Sequence, residues 1–199
     1  MSDMWGPSVD NVPQVLAVSE VYNLPFGKGQ RWGSGTSGFV GHLISNWNVS
    51  GIFSYESGRP QTMLVNSLFG NLLFQGGTQF PNSVAGQSPL APGPFTNPFS
   101  QVYYNSNAFS NPGPYSFGDM PRTTNNIRGF PYYNEDLQIY KDTYFGETKY
   151  VRVQASAGNV FNRVDFCPAN STINVSGFGT TFTQCNIPRR IQIGLQIFF

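Results

Sequence analysis

The last nine residues leave this chain few ways to fold. From Ile191 to Phe199 the side chains alternate: Ile191, Ile193, Leu195, Ile197 and Phe199 fall on one face of an extended strand, and Gln192, Gly194 and Gln196 on the other. Successive strand residues point to opposite sides, so this segment must lie between an apolar and a polar environment. A soluble edge strand would meet that condition. Here, however, the chain ends on an aromatic residue with no polar tail.

The same alternation recurs upstream. Val151, Val153, Ala155 and Ala157 oppose Arg152, Gln154 and Ser156, and Trp47, Val49, Phe53 and Tyr55 share a face of another run. The spacing predicts about five strands, near 14–24, 46–57, 133–141, 148–160 and 189–199. The phase of the first is ambiguous, because Glu20 shares a face with Leu16, Val18, Tyr22 and Leu24. Phe39 to Ile44 suits a short helix or turn. Gly146 marks a short connection between the third and fourth strands. The remaining connections are unequal, with long ones over 58–131 and 162–188. The first is about five times the ~15 residues beyond which unstructured loops become uncommon. Short turns at one end and long loops at the other are the asymmetry of outer-membrane barrels. Counting back from a periplasmic C-terminus places both long loops outside the cell.

Composition agrees. Only 11% of residues are charged while 16% are aromatic, against about 25% charge in an ordinary soluble domain. The predicted fold class is therefore all-β, an antiparallel transmembrane β-barrel fragment with long extracellular loops. No run of about 18 apolar residues exists, so no transmembrane helix is expected. The net charge of +1 without a basic cluster argues against nucleic acid as a partner. The first residues have neither a basic nor an apolar leader region, which leads to the expectation of a piece of a longer precursor.

Candidate sites are few. Cys167 and Cys185 lie in one loop with no His or carboxylate at metal-ligand spacing. Free thiols remain open, but a disulfide is favoured, and it requires an oxidising compartment. His42 is the only histidine and has no Ser, Cys or Asp neighbour to make it catalytic. Glu135 and Asp136 are adjacent, so they point to opposite faces and cannot act as a dyad. No catalytic, cofactor or metal set is expected, and no enzyme. Asn48, Asn170 and Asn174 begin glycosylation-like triplets, read as incidental. Arg152, Gln154, Gln192 and Gln196 are expected to face a barrel lumen. Phe95, Phe99, Tyr103, Tyr104 and Phe109 are loop aromatics that could cap a ligand.

Six elements, in order, carry a family resemblance. Tyr22-Asn23-Leu24-Pro25-Phe26-Gly27-Lys28-Gly29 comes first, followed by Trp47 to Ile52 with Ser57-Gly58-Arg59-Pro60. Next are Asn107-Ala108-Phe109 with Phe117-Gly118-Asp119-Met120-Pro121-Arg122, and Arg128-Gly129 with Asn134 to Lys141. Asn159-Val160-Phe161-Asn162 and Pro188-Arg189-Arg190-Ile191-Gln192-Ile193-Gly194-Leu195 complete the set. Together they resemble the C-terminal barrel portion of TonB-dependent outer-membrane receptors of the Oar-like, carboxypeptidase-regulatory-domain type. Arg190, Glu20 and the Cys167–Cys185 loop depart from that pattern. The resemblance implies a roughly 22-stranded barrel in the bacterial outer membrane, with lipid around it and a plug domain inside it. It also implies contact with TonB through an N-terminal part. Uptake of a siderophore, oligosaccharide or peptide would follow. It further implies that Ile191, Ile193, Leu195, Ile197 and Phe199 form the signal read by the barrel-assembly machinery. The alternative is a soluble extracellular β-sandwich binding glycans through the loop aromatics. The two differ in whether the apolar strand face is buried.

Overall fold

A computed structural model describes residues 5–66, 79–97 and 99–199. The strands are β1 (Val15–Asn23), β2 (Trp47–Glu56), β3 (Leu64–Val65), β4 (Asn82–Ser83), β5 (Phe109–Ser110), β6 (Tyr132–Tyr144), β7 (Tyr150–Gly158), β8 (Thr172–Ile173) and β9 (Arg190–Phe198). One helix, α1 (Gly38–Ile44), and a 3-10 turn at Ser106–Ala108 complete the described elements. The chain forms two compact units. One comprises 15–55, 133–164 and 187–199, and the other comprises 1–14, 56–132 and 165–186.

The first unit is built on a five-stranded sheet in the order β1-β2-β6-β7-β9. The β6–β7 and β7–β9 pairs are antiparallel, with Ile139 opposite Ala155 and Ala155 opposite Ile193. The other two pairs run the same way. The Asp142 N–H donates to the Asn46 carbonyl at one end of β2–β6, and the Tyr55 and Tyr133 rings meet at the other. Leu24 N–H donates to Trp47 O, and Ser57 N–H to Gln14 O, so rising numbers in β1 match falling numbers in β2. β6 runs three residues beyond its predicted end, because Asp142, Thr143 and Tyr144 pair with Arg152, Val151 and Tyr150. The β6–β7 turn shrinks to 145–149, closed by Phe145 N–H to Lys149 O.

This register gathers Val151, Val153, Ala155 and Ala157 with Ile191, Ile193, Leu195 and Ile197 on one face. Leu137 and Ile139 of β6 join them. That face is open: Ile193 is 77% exposed and Leu195 64%. A sandwich would bury it, and so the alternative reading does not hold. Three charges share the face. Glu135, near one end, is paired to Arg163 at 2.8 Å. Lys141, near the other end, is buried and donates to Thr143 Oγ1 at 3.0 Å. Glu20, in mid-strand on β1, has its carboxylate beside Gly51 of β2.

The long connections are not open loops. They supply the second unit, whose apolar core contains Met63, Val65, Tyr104, Ala108, Phe109, Met120, Ile127, Ala169 and Ile173. Small ladders tie it together: β3 pairs with β8 in parallel, and β4 with β5 antiparallel. Cys167 and Cys185 form a disulfide with Cα atoms 4.9 Å apart. It sits in a narrow antiparallel pairing, where Cys167 N–H donates to Thr183 O and Cys185 N–H to Asp165 O.

Replacing both cysteines by serine removes the restraint on the 18-residue separation between them, about 3 kcal/mol in the chain-entropy model. The variant is expected to lose protease resistance in 165–186 while the sheet strands stay protected. Limited proteolysis with peptide mapping measures this.

Candidate functional site

The face opposite the apolar one carries the polar chemistry of the sheet. Arg152 lies directly across from Asp142, and two hydrogen bonds of 2.7 and 2.8 Å join the guanidinium to the two carboxylate oxygens. A fork-on-fork pair of this kind fixes orientation as well as charge. The guanidinium also stacks 4.2 Å from the Tyr140 ring centre. Beside it, the Tyr150 and Phe198 rings stack at 4.3 Å. One step along the same face, Gln138 donates to Gln154 Oε1 at 3.1 Å. Gly194 stands opposite Gln154, and a Cβ there would press on the Gln154 amide. Glycine thus leaves room for the amide pair. Arg152, Gln154, Gln192 and Gln196 share this face, as their alternation predicts.

The end of β7 is held by asparagines. Asn159 adopts φ 49° and Asn162 φ 54°, the left-handed region that asparagine tolerates better than most residues. The Asn159 side chain donates to the Arg163 and Ile187 carbonyls and accepts from Arg163 N–H. Its own N–H donates to Asp136 Oδ1 at 2.9 Å. Asn162 Oδ1 accepts from Arg189 N–H at 3.1 Å. The Asn-x-Phe-Asn spacing is therefore a clasp joining the start of β6, the end of β7 and the approach to β9. Asp136 turns to the polar face and Glu135 to the other, as their adjacency requires.

In the second unit, two sequence elements far apart in the chain lock together. Gly58 approaches the Gly129 carbonyl so closely that no Cβ fits between them. Gly129 N–H donates to Arg59 O, and Gln61 N–H to Ile127 O. Arg128 reaches the Gly58 carbonyl at 3.0 Å and Asn11 Oδ1 at 2.8 Å. A similar lock forms at Phe117-Gly118-Asp119-Met120: Asp119 Oδ1 accepts from Ser83 N–H at 2.7 Å, and Met120 enters the core.

The five candidate ligand aromatics separate. Phe95 and Tyr103 are in edge contact at 4.9 Å and line a hollow of about 190 Å³ with Ala91, Pro92, Gly93 and Pro94. Phe99 is half exposed and packs against Phe166. Tyr104 and Phe109 are buried in the core, where they can touch only their neighbours. Among the described residues no group of three or more His, Cys, Asp or Glu side chains could hold a metal. His42 is exposed on α1.

An open antiparallel sheet with one oily face and one hydrogen-bonded face has a counterpart among known families. The model of a family described as "Outer membrane beta barrel domain" matches residues 1–192. The chain belongs to that family. No curated protein and no solved structure matches it. As an outer membrane beta barrel domain, it resides in the bacterial outer membrane. The spacing of the strands already pointed to the fold. The Asp142–Arg152 and Glu135–Arg163 pairs were not legible, since each depends on register or on a turn of the chain at Asn159.

Tyr104 supplies a test of the second unit's core. Its hydroxyl has no hydrogen-bond partner among the described residues. Burial raises its pKa, as does the neighbouring Tyr103, which is itself raised by burial. A phenol raised on folding contributes nothing against folding below its unfolded pKa near 10. Above that pH, stability falls until the folded pKa is passed. Tyr104→Phe removes both the orphan hydroxyl and this liability. The variant is expected to be as stable as the parent or about 1 kcal/mol more stable at neutral pH, and to unfold at higher pH in alkaline titration. Circular dichroism against pH checks both.

Proposed function

We propose that this outer membrane beta barrel domain is the C-terminal barrel portion of a TonB-dependent transporter. The observation that carries the reading is the sheet itself: its outward face is apolar, its opposite face holds the Asp142–Arg152 and Gln138–Gln154 pairs, and β1 and β9 end it on both sides without a partner strand among the described residues. In hydrocarbon such edges must be paired by further strands. A larger barrel supplies them, and its lumen, filled by a plug, receives the polar face. The six sequence elements shared with TonB-dependent receptors support the same assignment. Two of them, Ser57 to Pro60 and Arg128-Gly129, interlock in three dimensions.

In this reading the transporter draws energy from TonB through its N-terminal part and takes up an iron chelate, oligosaccharide or peptide. In this reading the connections 58–131 and 162–188 lie outside the cell, where the Cys167–Cys185 disulfide is stable to the environment. Phe95, Phe99 and Tyr103 are the aromatics available to a ligand from that side, and the domain performs no chemistry of its own. Assembly rests on the terminal strand. Ile191, Ile193, Leu195 and Ile197 project outward with Phe199, which is 98% exposed, and the barrel-assembly machinery reads this row.

Two measurements test the reading. Sequencing of the coding region is expected to show one continuous upstream frame encoding a plug; a stop codon just before Met1 with its own start signals would overturn the transporter assignment. Deleting Phe199, or Phe199→Asp, is expected to reduce outer-membrane insertion, read by heat-modifiable migration of membrane fractions. Normal insertion of both variants would overturn the assembly role.

A further inference from the structure

The connection between β1 and β2, residues 25–46, is more than a turn. Pro25 O accepts from Trp32 N–H and Trp32 O from Gly27 N–H, and the Phe26 and Trp32 rings pack at 5.2 Å. Gly27, at φ 106°, lies against Ser45, where a Cβ would not fit. Trp47 Nε1 donates to Leu43 O at 2.9 Å and so pins α1 to the start of β2. Trp32 and α1 are therefore held in place.

On α1, Phe39, Val40, Leu43 and Ile44 form one stripe at helical spacing. The helix does not spend this stripe on a core: Phe39 is 82% exposed, and Val40 and Leu43 are more than half exposed. Leu43 and Ile44 line an open groove of about 440 Å³ with Phe26, Trp32, Trp47 and Ile139. Ile139 lies on the sheet's apolar face, and so does Trp47, one residue inside the Asn46–Asp142 bond. The groove thus adjoins the outward surface; Lys141, two residues from Ile139 on that face, is buried with its ammonium tied to Thr143. The only formal charges within 25–46 are Lys28 and Arg31, with no carboxylate, and the Arg31 guanidinium lies 5.5 Å from the Trp32 ring centre.

We propose that residues 25–46 form an interfacial anchor that docks on the phospholipid surface of the leaflet at the C-terminal end of the barrel. Phe39, Val40 and Leu43 enter the boundary between headgroups and acyl chains, Trp32 lies at headgroup depth, and Lys28 and Arg31 meet lipid phosphate. Two features select lipid over a protein partner: continuity with the sheet face that hydrocarbon covers, and a segment whose formal charges, Lys28 and Arg31, are both cations that complement anionic headgroups. Aromatic rings with an apolar body and a polar edge favour this depth, and an apolar helix face beside basic residues binds in the interface plane. This inference rests on the barrel reading above.

The test uses the full chain inserted in vesicles of phosphatidylethanolamine and phosphatidylglycerol, with part of the lipid brominated near the headgroup end of the acyl chains or deep within them. Trp47, which holds α1, is kept; in a Trp5→Phe background the emission lost on adding Trp32→Phe is the Trp32 signal, and it is expected to fall with shallow bromine more than with deep. A second background, with all three tryptophans replaced by Phe and Leu195→Trp added, reports on the sheet face. Quenching of the Leu195→Trp variant without quenching of Trp32 overturns the anchor and leaves the barrel standing. No quenching in either background overturns both. Phe39→Ser with Leu43→Ser, two surface changes, is expected to weaken Trp32 quenching and leave the Leu195→Trp signal unchanged; Trp32 quenching that persists at full strength would overturn the role of α1.

Discussion

A β-strand in hydrocarbon has two obligations. Every backbone N–H and C=O must find a partner, and every outward side chain must tolerate lipid. Between its strands the β6–β7–β9 ladder meets the first through continuous antiparallel pairing from Tyr144 and Tyr150 to Arg190, and the outer edge of β9 awaits a further strand. It meets the second by placing Val, Ala, Ile and Leu on one face. In water that face would be a burden. Leaving an Ile or Leu side chain exposed rather than buried costs up to about 1.5–3 kcal/mol. Four such residues on β9 alone approach the entire net stability of an ordinary domain, roughly 5–15 kcal/mol. In the barrel reading, lipid against that face removes the cost. The rest of the sheet's design follows, including the collection of its hydrogen-bonding side chains on the opposite face.

The charges show how the constraint is managed. Asp142 and Arg152 could not face hydrocarbon, and the register sets them opposite each other on the polar side, where each satisfies the other. On the apolar side, charge is confined mostly to the sheet's ends. Glu135 is answered by Arg163, and Lys141 folds back onto Thr143. Long side chains of this kind can carry a polar head toward the interface while their stems cover apolar surface. Glu20, in mid-strand beside Gly51, is the exception.

Much of the sheet was legible because a period of two is written directly in the residues: Val151 to Ala157 and Ile191 to Phe199 need no partner to declare their faces. The end of β6 was less so, since Thr143 and Tyr144 become strand only by pairing with Val151 and Tyr150. The second unit was the least legible. Met63, Met120, Ile127 and Ala169 are scattered through Pro- and Gly-rich sequence with no period, and only the three-dimensional path brings them together. The same limit applied to the aromatics. Sequence marks Tyr103 and Tyr104 alike, yet one lines a surface hollow while the other is wholly buried. The sequence elements at Gly58 and Gly129 were visible individually, but their mutual contact was not.

The central claim is that the Ile191–Ile197 row meets lipid and the Gln192–Gln196 row does not. Nitroxide labels placed one at a time along β9 of the membrane-inserted protein measure it most directly, by collision with oxygen, which concentrates in hydrocarbon, and with a water-soluble nickel chelate. The account predicts alternation with a period of two, oxygen reaching 191, 193, 195 and 197 more readily than 192, 194 and 196. Uniform access along the strand, or higher oxygen access at the glutamine positions, would contradict it.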